Sequence, residues 1–239
     1  MASLKPAILA LSVAGFAWMS WISFPAAAQE PYTPIAGEDH LGVSAGGGFS
    51  LPHTDFKHSA AVPAAVFGAD VHYFSLDFLT ISLGFQKGML KGGEPLNESA
   101  WNKTGFENNF YSFCLSFRLF PFALAENESR DKVLHVLSFW YAGTGLGYMY
   151  NDTKANYMQQ AVYGSLVRYK GSSLFVPVET GINIPLARPG KNMILLNISY
   201  RLHLCFSDEI DGYVPTVEAN KYNDAFSTLG ASVIYKFGL

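Results

Sequence analysis

Charge is what this 239-residue sequence has least of: Asp, Glu, Lys and Arg together make up 15% of it, against roughly 25% in an ordinary soluble domain. Such a chain has little with which to coat a water-facing surface. Basic runs are missing as well. With a net charge of −3 and a pI of about 6.0, the electrostatic footprint of a nucleic-acid binder is absent, and no nucleic-acid partner is expected. The two cysteines, Cys114 and Cys205, make neither a disulfide framework nor a metal cluster and are expected as free, buried thiols.

Long charge-free runs are confined to two places. The first, residues 7–24, follows Lys5, is broken by Pro25 and precedes Ala26-Ala27-Ala28; this is the layout of a secretory signal cleaved before Gln29. Residues 1–28 are therefore expected as a signal peptide, 29–39 as a periplasmic lead and 40–239 as the folded domain. The second run, 133–150, has no Asp, Glu, Lys or Arg and is long enough for a membrane helix. Gly143, Gly145 and Gly147 fall within five positions of it, and each would weaken a helix by roughly 1 kcal/mol. At spacing two they form one small-residue face of a strand. The G-T-G-L-G run they belong to has the wrong spacing for a dinucleotide fingerprint and no helix start after it, so no cofactor is expected.

What the sequence has in abundance is alternation. From Leu239 backwards, one register reads Leu239, Phe237, Tyr235, Val233, Ala231 and Leu229, and the other Gly238, Lys236, Ile234, Ser232, Gly230 and Thr228. One face is apolar and aromatic, the other small or polar, which is a strand with one greasy side. The same pattern predicts strands over 40–50, 64–74, 77–90, 108–120, 135–151, 172–186, 192–206 and 224–238. Most reach the length a tilted membrane strand needs. The stretches between them alternate between long and tight, the asymmetry of a membrane barrel with long loops on one rim. The connection 121–134 is too long for the tight rim and breaks the rule.

Period two alone does not say which face is inside, since a soluble barrel and a membrane barrel alternate alike. The polar registers decide it. Each carries about one charge among Ser, Asn and Gly, as in Phe110, Ser112, Cys114, Ser116 and Arg118. A water-facing surface would carry more Lys and Glu. These residues are therefore assigned to a narrow lumen, with a polar network of Asp70, His72, Gln86, Arg118, Glu179, Arg201, His203 and Lys236. The charges there are expected to pair, because an unpaired charge in a low-dielectric interior is costly.

Candidates for chemistry are few. His53, Asp55 and His58 lie near one another on a long connection, but two His and one Asp without a rigid element behind them are a solvated loop, and no metal site is expected. Ser199, Arg201 and His203 share one strand face with Glu179 nearby, which is conceivable as a hydrolytic set. The register points them into the lumen, away from any lipid substrate, so ion pairing is the expected role and no catalytic residue is assigned.

The alternating C-terminal strand with its aromatics, and the eight such segments before and including it, resemble the small outer-membrane β-barrels of the OmpA-like and OmpW-like type. The resemblance implies an all-β fold, an eight-stranded antiparallel up-and-down transmembrane barrel. It further implies residence in the bacterial outer membrane, both termini in the periplasm, four long loops outside, and outer-membrane lipid and the barrel assembly machinery as partners. The expected function is a non-enzymatic surface protein with a plugged lumen, whose loops make contacts such as adhesion and whose barrel supports the envelope. A narrow pore or conduit for small hydrophobic molecules is the alternative, followed by a lipid-modifying enzyme.

Overall fold

A computed structural model describes residues 40–53, 61–93, 105–126, 132–156, 167–207, 210 and 224–238. The expected signal segment and lead before His40 lie outside them.

Eight long strands make up the fold: β1 (His40–His53), β2 (Ala64–Leu76), β3 (Leu79–Gly93), β4 (Gly105–Leu119), β5 (Trp140–Asn156), β6 (Val167–Ala187), β7 (Met193–Cys205) and β8 (Ala225–Lys236). A two-residue piece, Ala61–Val62, precedes β2 across Pro63 and pairs with Lys91 and Gly92. Every strand is antiparallel to its neighbours in sequence, and β1 also pairs with β8 from Gly42↔Lys236 to His53↔Ala225. The sheet is thus a closed up-and-down ring without a free edge.

Tight turns join β2 to β3 at Asp77 and Phe78, and β6 to β7 around Gly190. Gly190 takes a φ of 66°, a left-handed conformation that a side chain would strain, and Asn192 N–H donates to the Pro189 carbonyl at 3.2 Å. The start of β1 and the end of β8 lie at this same rim, where Phe237 N–H donates to the Leu41 carbonyl.

The third connection at this rim holds two short helices, α1 (Pro121–Glu126) and α2 (Lys132–Leu137). This corrects the strand expected from 135: pairing begins at Trp140 instead. The reason lies in the partner strand. β4 ends at Leu119, opposite Ala142, because Pro121 has the fixed φ and missing N–H that open a helix rather than extend a ladder. Without a partner on that side, 132–137 closes its own hydrogen bonds; Ser138 N–H donates to the Leu134 carbonyl and its hydroxyl to the His135 carbonyl, both at 2.8 Å.

At the opposite rim the strands run further than alternation suggested. Residues 91–93, 105–107, 152–156 and 167–171 all lie in strands where loops were expected. No helix among the described residues is long and apolar enough to cross a membrane.

Candidate functional site: the lumen

Parity sorts every strand into two faces. Outward stand Leu41, Val43, Phe67, Leu83, Phe113, Leu115, Leu146, Leu174, Leu229 and Val233, large apolar side chains that are exposed, Phe67 by 66%. Inward stand the polar residues, and they are the buried ones: Arg118 is 3% exposed, Glu179 2% and Arg201 6%. A soluble protein shows the reverse arrangement.

At mid-height Glu179 sits between two guanidinium groups. Arg118 Nε donates to Glu179 Oε1 at 2.9 Å, and Arg201 donates to Oε2 through Nε at 3.0 Å and Nη2 at 2.8 Å. Register brings them together, since Glu179 on β6 lies opposite both Gly143 on β5 and Arg201 on β7, and Gly143 in turn lies opposite Arg118 on β4. Gly143 leaves room: a Cβ there would stand 3.0 Å from the Glu179 side chain. Charge-assisted pairs of this kind are what allow three ionised groups inside a narrow barrel.

Across the lumen a second chain forms. Ser44 Oγ donates to Asp70 Oδ2 at 3.1 Å and lies 2.9 Å from His72 Nε2, while His72 Nδ1 lies 2.8 Å from Ser82 Oγ. Because the Ser44 hydroxyl donates to Asp70, it accepts from His72 Nε2–H, and Nδ1 accepts from Ser82. Gln86 stands nearby with its Oε1 buried and unbonded. It lines a cavity of about 50 Å³ together with Asp70, Arg118, Asn197, Ser199 and Arg201, enough for a few waters.

Below, toward the tight-turn rim, Tyr141 is fully buried. Its hydroxyl accepts from Asn197 Nδ2 at 3.0 Å, its ring lies 5.4 Å from that of Phe120, and the Arg118 guanidinium carbon lies 5.1 Å from its centroid. Lys236 does not join the mid-lumen network; its Nζ stands 4.7 Å over the Phe74 ring.

Above the triad the lumen turns apolar, unlike the small-residue interior expected. Val66, Leu90, Phe106, Phe110, Met149, Phe175 and Phe226 pack there with both cysteines. His203 belongs to this layer, its ring stacked on Phe226 with centroids 4.0 Å apart. Cys114 and Cys205 are free, and the row Cys114, Gly147, Phe175, Cys205 runs across β4 to β7. The Phe175 ring occupies the space over Gly147, where a Cβ would come within 2.1 Å of it. Ile210, from the connection after β7, caps the layer: its N–H donates to Asp224 Oδ2 at 3.0 Å, and its carbonyl accepts from Asn108 Nδ2 at 2.7 Å.

The lumen chains contain Ser44, Ser82, Asn108, Tyr141 and Asn197, none of which stood out in the sequence. Their lumen parity was legible, but their partners depend on register. His53 Nε2 lies 2.9 Å from Ser227 Oγ, and Asp55 and His58 lie outside the described residues. Ser199, Arg201 and His203 all face the lumen, with Arg201 held by Glu179 and His203 by Phe226.

A closed antiparallel ring with a broad apolar outer surface and its buried ion pairs inside is a transmembrane β-barrel, since only closure satisfies every backbone group of a sheet in lipid. With eight strands, this is a small β-barrel of the bacterial outer-membrane type. No protein-family model and no curated protein matches the sequence. Among solved structures the chain is similar to Neisserial surface protein A (17% identity, 84% of this chain and 100% of that one, TM-score 0.48). It is also similar to Ail of Yersinia pestis (13%, 84% and 100%, TM-score 0.44) and OprG from Pseudomonas aeruginosa (11%, 85% and 99%, TM-score 0.36).

Proposed function

We propose that this protein is a non-enzymatic component of the outer membrane whose lumen is plugged, and which serves as a rigid mount for surface loops and as a stiffening element of the envelope. The observation that carries this reading is the filling of the lumen at three successive levels: Tyr141 with Phe120, the Arg118–Glu179–Arg201 triad, and the aromatic layer under Ile210. Eight strands leave an interior about as wide as the side chains that fill it. Outer-membrane lipid surrounds the barrel in this reading, and the barrel assembly machinery inserts it. The Arg118–Glu179–Arg201 triad, the Asp70–Ser44–His72 chain and His203 on Phe226 hold the wall from within and carry no reaction.

Conductance tests it. Purified protein reconstituted in a planar bilayer is expected to show no steady ion current at 100 mV, whereas a sustained current from the native protein would remove the plug. The conduit reading rests on one observation, the cavity beside Gly46, Gly47, Gly68 and Gly230, where the wall has no side chains; a saturable flux of a small apolar solute into protein-containing vesicles would favour it.

A further inference from the structure

Among the described strand residues, outward-facing charge stands on one side of the barrel only. On β7, β8, β1 and β2 no outward position among the described residues is Asp, Glu, Lys or Arg. On β3 to β6 there are seven such residues, all toward the rim of the long connections: Lys87, Lys91, Glu107, Asp152, Lys154, Arg168 and Lys170. Strand register sets them in adjacent rows. One row reads Lys91, Glu107, Lys154, Arg168 across the four strands, and the next ends in Asp152 and Lys170. Below them Lys87 stands 5.2 Å over the Tyr111 ring, beside Tyr150.

Five cations thus meet two carboxylates, and both carboxylates are engaged. Lys91 Nζ lies 3.0 Å from Glu107, and Arg168 grips Asp152 through Nε and Nη2 at 2.7 and 2.5 Å. Lys154 lies between Glu107 and Arg168 in the ladder, and its like-charge contact with Arg168, whose one carboxylate partner is already taken by Nε and Nη2, would be relieved by a further anion. Lys154 and Lys170 are exposed and have no ion pair among the described residues. A belt of lysines that only anchored the barrel at head-group height would encircle it; among the described residues this one covers half the circumference.

We propose that the outer rim of β3–β6 is a binding face for a phosphate-bearing lipid of the surrounding leaflet, its phosphate between Lys154, Arg168 and Lys170 and its acyl chains on the apolar surface below Tyr111, Tyr148 and Tyr150. The complementarity is that of cationic protein surfaces with anionic head groups generally. The site rests on the outer-membrane reading above, since only an embedded barrel presents this face to head groups.

The test uses full-length protein in phosphatidylcholine nanodiscs, with diphosphorylated lipid A as probe and native mass spectrometry of bound lipid as readout. Wild type is expected to retain the lipid, and the double variant Lys154→Gln/Lys170→Gln to lose affinity by at least about tenfold. Glu107→Gln, which removes a competing carboxylate, is expected to strengthen binding. Equal binding by the double variant, or equal binding of lipid A stripped of its phosphates, would overturn the site. Displacement by an equal concentration of inorganic pyrophosphate would overturn it as a lipid site. Gel mobility of each unboiled variant, read separately, reports the barrel: loss of its compact form even in wild type would sink the membrane reading, and the lipid site with it.

Discussion

Glu179 shows best how a single residue is held to one role. Its side chain is fully buried and has two guanidinium partners, so its charge is needed where almost no water reaches. Replacing it with Gln leaves two buried cations facing each other without a counter-charge. Removing one partner of a buried ion pair costs about 3–5 kcal/mol. Glu179→Gln is therefore expected to lower the urea midpoint of unfolding in lipid vesicles by that equivalent, and an unchanged midpoint would mean that the triad does not hold the wall. The lumen placement of Arg118, Glu179 and Arg201 was legible from alternation together with the scarcity of charge on the polar registers. Pairing of Glu179 with Arg201 or Arg118 was expected too; that Glu179 takes both at once was not, because it depends on Gly143 standing between Arg118 and Glu179 in the register. His203 was legible as a lumen residue too, yet its partner is an aromatic ring, Phe226, from another strand.

At the scale of elements, the seam between first and last strand decides whether the sheet closes. Three consecutive glycines, Gly46 to Gly48, lie on β1 along this seam. A Cβ at Gly48 would stand 2.1 Å from the Leu229 carbonyl oxygen and 2.5 Å from the Gly230 Cα, and backbone does not yield as a flexible side chain does. Gly48→Val is expected to abolish the compact, fast-migrating form on an unboiled gel. Gly230→Ala, whose Cβ would stand 3.3 Å from the nearest atom, is expected to keep it. The helical connection α1–α2 marks where element reading failed. Residues 135–139 are as apolar as a strand, but a strand needs a partner, and β4 has stopped before Pro121. The early ends assigned to β3 and β5 have a related cause: Lys91 and Lys154 look like loop residues, but a closed ring extends pairing beyond the lipid belt wherever two neighbours continue together.

For the whole molecule, the combination of closure, apolar exterior and filled interior predicts resistance to detergent. Unfolding must break a ladder with no free edge, so membrane extracts are expected to show the protein at one mobility unheated and at another after boiling. One mobility in both conditions, with the protein in a soluble periplasmic fraction, would turn the barrel inside out.

Alternation, scarcity of charge and the spacing of the strands belong to the sequence alone, and they were sufficient for an eight-stranded barrel with its greasy face outward. The reason is local: side chains in a strand alternate whatever lies beside them, so parity survives without knowledge of the partner. Tertiary structure alone decided what fills the lumen. Phe110, Phe175 and Phe226 share the polar parity, and only closure of the ring brings them together under Ile210, a residue from a distant connection. It also decided that the outward cations stand side by side on four strands, because adjacency across a barrel follows from register and shear, which no single strand encodes.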